Sequence, residues 1–172
     1  NRRGTRQEYH DLIEKLRREI PNIAIRSTFI AGFPSETDEE HVAMIDFLKR
    51  AKLTNCGFFA YSKEVDTASY KLKGHLTKRI KDRRVKALYK VQSAISREYL
   101  RSFVGNVIDV VCDGIDYEKG CFVGRAFFSA PDIDGKVFFR YNGEERIMPG
   151  PMVKVKVREV VDYDVYGFAM QG

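Results

Sequence analysis

The chain has 172 residues, 44% of them hydrophobic and 12% aromatic, enough apolar material to pack one large or two small domains and too much for a disordered chain. Its 30 Lys and Arg against 24 Asp and Glu leave a net charge of +6, and no apolar run approaches the roughly 18 residues that a membrane-spanning helix needs. The first residue is Asn and nothing resembles a secretory leader, so the chain reads as a fragment of a protein that begins upstream.

In chain order, Tyr9, Leu12, Ile13, Leu16 and Ile20 give residues 5–19 a helical period, with Thr5 as N-cap and Glu8 completing a capping box. Pro21-Asn22 ends that helix. Residues 23–33 read as a strand buried on at least one face, running into Gly32-Phe33-Pro34. There glycine permits close backbone approach and proline stiffens the turn. Thr37 caps a second helix, with Asp38, Glu39 and Glu40 at the positive end of its dipole and Val42, Ile45, Phe47 and Leu48 carrying the period on to Ala51. Residues 56–61 read as a second buried strand. Helix, strand, helix, strand is the alternation of a parallel α/β layer. Strand ends that open into helices are where α/β enzymes place small-molecule contacts, although an ordinary βα turn has the same local chemistry.

Residues 77–101 form a long helix with Ile80, Leu88, Val91 and Ile95 on one side and Lys78, Arg79, Lys81, Arg83, Arg84, Lys86 and Lys90 on the other. Such a basic face is solvated, pairs with acids on a neighbouring element, or contacts RNA. After Phe103 come short β-rich runs at 106–112, 120–128, 136–141, 152–161 and 164–170. Turn signals separate them at Asp113-Gly114, Lys119-Gly120, Asp134-Gly135, Asn142-Gly143 and Pro149-Gly150-Pro151. Five strands of this kind suggest a small closed OB-like β-barrel. The expected domains are therefore 1–76, α/β; 77–103, a connecting helix; and 104–172, the barrel. Residues 1–103 hold 22 basic and 13 acidic side chains and residues 104–172 hold 8 and 11, so the barrel is the acidic part of a basic chain.

Individual residues carry further expectations. Arg26, inside an otherwise apolar strand, requires a carboxylate partner or an anionic ligand if it is buried. Tyr61, ending the second strand, faces either a pocket or the core, and Glu36 either caps its own helix or joins a site. Cys56, Cys112 and Cys121 lack metal-ligand spacing and read as small core residues of a reducing cytosol. Cys112 and Cys121 flank a hairpin turn, which is too weak a sign for a disulfide. His10, His41 and His75 are far apart and suggest neither a metal site nor a nucleophile–base pair.

The run from Ile25 to Thr37 resembles the strand of radical S-adenosylmethionine methylthiotransferases that reads Arg-Thr-x-Ile-Ile-x-Gly-Phe-Pro-Gly-Glu-Thr. Asn1 to Thr5 is similar to that family's Met-Asn-Arg-x-x-Thr segment without its first residue. Phe59-Ala60-Tyr61-Ser62, followed by Thr67, Ala68 and Tyr70, is similar to its Tyr-Ser-x-Glu-x-Gly-Thr-x-Ala-Tyr segment. The end of the chain resembles the all-β TRAM domain that closes these enzymes, so the likeness covers essentially the whole chain. It implies an α/β fold, namely the C-terminal βα units of an open, TIM-like radical-SAM barrel, followed by the TRAM barrel. It implies S-adenosylmethionine as cofactor, with Arg26 toward its methionine carboxylate, Gly32 and Phe33 against its adenine, and Tyr61 facing the same pocket. It also implies two 4Fe–4S clusters, whose closely spaced cysteines cannot be mapped onto this sequence. The cluster ligands are expected outside the chain, which by itself is expected to be inactive and to hold no catalytic or metal-binding residue.

TRAM domains are usually described as RNA-binding, but an acidic barrel opposes a phosphate backbone and suits a basic protein. Val123-Gly124-Arg125-Ala126, residues 130–137 and residues 162–167 resemble the RimO type, which methylthiolates an aspartate of a small-subunit ribosomal protein. That likeness implies Arg125, Asp132, Asp134, Asp162 and Asp164 as substrate contacts, a basic small-subunit ribosomal protein as partner, and a cytoplasmic location away from any membrane. Ribosomal RNA would be met through the basic face of residues 77–90. The mechanism implied is reductive cleavage of the cofactor, hydrogen abstraction from the aspartate β-carbon by a 5′-deoxyadenosyl radical, and attachment of a sulfur-bearing methyl group to that carbon. The rivals are a tRNA adenosine methylthiotransferase of the MiaB type and a non-catalytic RNA-binding TRAM module.

Overall fold

The computed structural model describes residues 4–141 and 149–170. Local sequence places the first helices as expected. Thr5 caps α1 (Arg6–Glu19) and Thr37 caps α2 (Asp38–Ala51), each with a complete capping box, closed by Glu8 and Glu40. Between and after them run β1 (Arg26–Ala31) and β2 (Asn55–Ala60), paired in parallel with Phe29 opposite Phe58 and Ile30 opposite Phe59. A short 3₁₀ turn at Ala68–Lys71 precedes α3 (Lys78–Arg101). The chain divides into two compact units, residues 1–95 and 96–172.

In the first unit Ala31, Leu48, Phe58, Leu88 and Ile95 form one core cluster, and Ile13, Ala51 and Leu53 form another. The two-stranded sheet buries a single face. Ser27, Phe29 and Ala31 turn inward along β1, while Arg26, Thr28 and Ile30 turn to solvent. The first strand is thus six residues long, shorter than its apolar sequence suggests. α1 is helical where expected, yet Tyr9, Leu12 and Ile20 of its apolar stripe are 41–51% exposed, and Ile13 with His10 supplies the buried contact. His10 packs its ring 4.5 Å from that of Phe47.

The second unit is a closed barrel in the order β3-β4-β5-β7-β6, built from β3 (Val107–Asp116), β4 (Cys121–Ala126), β5 (Val137–Arg140), β6 (Met152–Val161) and β7 (Asp164–Ala169). Four of its pairings are antiparallel and one, β5 with β7, is parallel. Val110, Cys112, Val137, Phe139, Val155, Val157 and Val165 fill its interior at 0–1% exposure. Asp113-Gly114 does not separate strands as a turn. It sits inside β3, where the register with β4 shifts between Cys112 and Gly114, and the bulge bends the strand around the barrel. The Asn142-Gly143 signal lies outside the described residues. Cys112 lies opposite Gly124 and Cys121 opposite Asp116, so the two thiols are not cross-strand neighbours, and all three cysteines are free.

Candidate cofactor and substrate surfaces

At the end of β1 the backbone turns at Gly32, whose φ is +77°, and the next residues are held by one carboxylate. Glu36 accepts from the Gly32 N–H at 2.8 Å and the Phe33 N–H at 3.3 Å through one oxygen. Its other oxygen takes a 2.6 Å bond from Arg84 Nη1, which also donates to the Glu36 carbonyl at 3.0 Å. Arg84 Nη2 donates to Asp38 at 2.8 Å. The Arg84 and Glu36 side chains are 4% and 7% exposed. The hydrogen bond and charge of Arg84 hold the Asp38 carboxyl below its ordinary range.

The same helix reaches the end of β2. Lys81 Nζ donates to the Tyr61 carbonyl at 2.7 Å, and a Cβ on Gly32 would collide with the Lys81 stem. Tyr61 meets Phe33 edge-on at 5.3 Å between ring centres and stacks on His75 at 5.9 Å. Its ring is buried, and its hydroxyl has no hydrogen-bond partner among the described residues. Beside it an open groove of about 510 Å³ is lined by Ile30, Phe33, Pro34, Ser35, Glu36, Glu40 and Met44.

Three expectations narrow or change here. Arg26 is not buried. It opens β1 on the exposed sheet face that carries Ile30 at the other end, because the alternation of the strand turns it outward. Among the described residues the buried arginine of this unit is Arg84, and of the three readings of the basic α3 face it takes the one in which a base pairs with acids on a neighbouring element; that face gives both Lys81 and Arg84 to internal bonds. The space above Gly32 is taken by Lys81, so helix packing alone already requires glycine there. Gly32, Phe33 and Tyr61 do converge, and the structure adds Glu36, His75, Lys81 and Arg84 to their neighbourhood. Of these, Glu36 stood in the sequence only as an alternative to a simple cap. The others lie more than a dozen residues downstream, with nothing local to mark them.

For a cofactor, the groove offers an aromatic ligand the exposed Phe33 ring with Ile30, Pro34 and Met44, while Tyr61 is buried behind Phe33 and does not line the groove. The described residues do not supply the donor set of a metal cluster. Among the described residues no group of three or more His, Cys, Asp or Glu could hold a metal ion. Burial pushes the Cys56 thiol up to about 12 and raises Cys112 and Cys121 as well, away from the thiolate a cluster needs. Among the described residues no helix is long and apolar enough to cross a membrane.

In the second unit Arg125, Asp132 and Asp134 line one cleft of about 270 Å³, together with Asp113 and Lys136. Arg125 is ion-paired with Asp113. Asp134 accepts from the Ala130 N–H at 2.8 Å, and Asp164 accepts from the Lys136 N–H at 2.9 Å. Gly135 lies directly against the Tyr163 carbonyl, which brings the Asp162-Tyr163 turn alongside the cleft. Asp162 pairs with Arg97 at 3.1 Å. The five expected residues therefore gather at one end of the barrel, but Asp134 and Asp164 also hold loops, and Asp132 and Asp162 occupy left-handed turn positions.

The acidic character does not extend around the barrel. A second groove, of about 490 Å³, is lined by Phe138, Tyr166 and Phe168 together with Lys119, Arg140 and Arg158 and one acid, Glu159. Phe138 and Tyr166 stack at 5.2 Å, and Lys119 Nζ stands 3.6 Å from the centre of the Phe138 ring. The net charge of the barrel conceals this surface because here bases outnumber acids by three to one.

Comparison with known proteins follows the same division. Residues 104–170 match the TRAM domain family. The whole chain is similar to proteins described as ribosomal protein uS12 methylthiotransferase RimO. That of Lachnoclostridium phytofermentans is 41% identical over 98% of this chain and 38% of its own length. That of Clostridium botulinum is 40% identical over 96% and 36%. That of Caldanaerobacter subterraneus subsp. tengcongensis is 37% identical over 97% and 37%. The chain thus spans little more than a third of the length of these curated relatives. Its barrel is a TRAM domain, and the chain as a whole is a relative of the RimO methylthiotransferases of ribosomal protein uS12.

Proposed function

We propose that this chain is part of a radical S-adenosylmethionine methylthiotransferase that modifies the β-carbon of an aspartate in ribosomal protein uS12, acting in the cytoplasm. The observation that carries this reading is that the likeness to the uS12 enzymes runs through the α/β unit as well as the barrel, covering 96–98% of the chain in the three relatives above. A TRAM module without catalysis would share only the second unit.

In this reading S-adenosylmethionine, when bound, supplies the hydrogen-abstracting chemistry, and the 4Fe–4S clusters are held by residues outside this chain. Phe33 offers the adenine an apolar surface, and Tyr61 backs that ring edge-on at 5.3 Å. Arg26 shares the exposed sheet face with Ile30 but stands roughly 13 Å away along the strand, so it serves only an extended ligand, at its carboxylate end. The end of the barrel that carries Asp132 and Asp162 docks the basic ribosomal protein through complementary potentials. The test uses the full-length enzyme and purified uS12. Asp132→Asn with Asp162→Asn keeps the left-handed turns, which Asn tolerates, while removing two charges. We expect affinity for uS12 to fall about tenfold and methylthiolation, read by mass, to fall with it. Unchanged affinity removes the docking assignment, and an enzyme that leaves uS12 unmodified under reducing conditions removes the substrate.

One observation favours a second contact. The groove with Tyr166 and the exposed Phe168 among Lys119, Arg140 and Arg158 suits single-stranded RNA, which stacks on rings and releases counterions from cations. It supports ribosomal RNA contact through the barrel rather than through the 77–90 helix face. Arg140→Glu with Arg158→Glu then weakens RNA binding and flattens its salt dependence. Steep, tight binding of tRNA at this groove, with indifference to uS12, would favour the tRNA adenosine rival.

A further inference from the structure

Arg84 spends two nitrogens on groups at the start of α2, and Lys81, one turn earlier on α3, spends its ammonium on the end of β2. Besides these bonds, Leu88 and Ile95, with Val85 and Val91 beside them, anchor α3 in the core. A buried ion pair is a poor way to gain stability, since desolvating two charges offsets much of their attraction, and an apolar pair of similar volume often does as well. What it provides is a single orientation. The Glu36 carboxylate has one oxygen on Arg84 and the other on the amides of Gly32 and Phe33, so the guanidinium fixes the carboxylate and the carboxylate fixes the turn. Lys81 holds the Tyr61 carbonyl at 2.7 Å while its stem roofs Gly32, which fixes the neighbouring aromatic edge.

We infer that Arg84 and Lys81 are positioning residues, through which α3 sets the two strand-end turns that carry Phe33 and Tyr61. The inference rests on the reading that Phe33, backed by Tyr61, meets S-adenosylmethionine. Without Arg84 the carboxylate is free to leave the two amides, and the Gly32-Phe33 peptide is free to rotate. Affinity for the ligand then falls although no atom of Arg84 touches it.

The test is made in the full-length methylthiotransferase with four variants. Arg84→Lys keeps the charge but loses the two-pronged fork; Arg84→Met loses both. Lys81→Met keeps the stem over Gly32 and loses the ammonium. Phe33→Asp probes the pocket directly. Each is read by melting temperature and by equilibrium binding of S-adenosylmethionine. We expect Arg84→Met and Lys81→Met to weaken binding about tenfold, Arg84→Lys to recover part of the loss, and folding of the lysine variant to be retained. If Arg84→Lys and Lys81→Met fold and bind with unchanged affinity while Phe33→Asp binds weakly, the positioning role is overturned and the pocket stands. If Phe33→Asp also binds normally, the pocket reading itself falls and the inference with it. If Arg84→Met does not fold, the lysine variant and Lys81→Met decide in the same way.

Discussion

Ile30 and Phe59, paired across the two-stranded sheet, leave 54% and 61% of their surface to solvent, whereas Phe139 and Val165 inside the barrel leave 1% and none. The barrel closes on itself, so every strand has two partners and its apolar face is consumed by folding. The α/β unit packs one face of its sheet beneath the helices and leaves the other open, beside a groove lined by Ile30, Phe33 and Met44. An apolar sheet face that folding does not use is available to a ligand or to further protein. Hence the first unit is read through its unfinished surface, and the second through the charges arranged on a finished one.

The largest expected effect tests the closed unit. Phe139→Ala removes a ring that is 1% exposed and should cost the barrel about 4 kcal/mol, seen as an early second transition in thermal unfolding while the α/β unit melts as before. If both units melted together, they would not be independent. Gly135→Ala places a methyl group on the Tyr163 carbonyl, a backbone atom that cannot swing aside, and should cost about 2–3 kcal/mol in the same transition.

Next comes pH, which should separate the units. Burial holds the His10 and His41 imidazoles below their ordinary value of 6.5, with Arg50 and Arg84 respectively adding repulsion. The unfolded chain therefore binds more protons as pH falls through 6.5 toward the folded values, and the α/β unit loses stability on acidification, by at most about 1.4 kcal/mol per pH unit for each histidine. All three histidines precede residue 76, so the barrel transition should hardly move between pH 7.5 and 5.5. A barrel that shifts as much as the α/β unit would refute this assignment. The smallest effect is Phe59→Ala, expected within about 0.5 kcal/mol in this chain because the ring is exposed. The same substitution in the full-length enzyme measures what covers the sheet, since a cost several times larger there means the face is buried.

Much of this was legible because it is local. Thr5 with Glu8 and Thr37 with Glu40 announce two helix starts within four residues each, and alternation with turn residues marks the barrel strands. What escaped was long-range or a matter of direction. Arg84 is one of nine basic residues on α3, and only the fold reveals that its carboxylate lies 48 positions earlier. Arg26 was placed in the right strand but on the wrong face, because a strand's apolar average does not say which alternate residues a one-sided sheet buries. Asp113-Gly114 carries the chemistry of a turn and of a bulge alike, and the closure of the barrel selected the bulge. The uneven balance of charge, acids ahead by three to two in one cleft and bases by three to one in the other groove, cannot be read from a sum.

The pairing that closes the barrel joins Val107 to Lys156 and Val111 to Met152, while β1 and β2 meet across a single intervening helix. Closing the longer loop delays the contacts that reward it, so the barrel is expected to assemble late. After dilution from denaturant the chain should regain its helical signal first and its barrel aromatic signals afterward. For that interval the newly made polypeptide would carry an ordered strand-end turn in one unit while the other was still open.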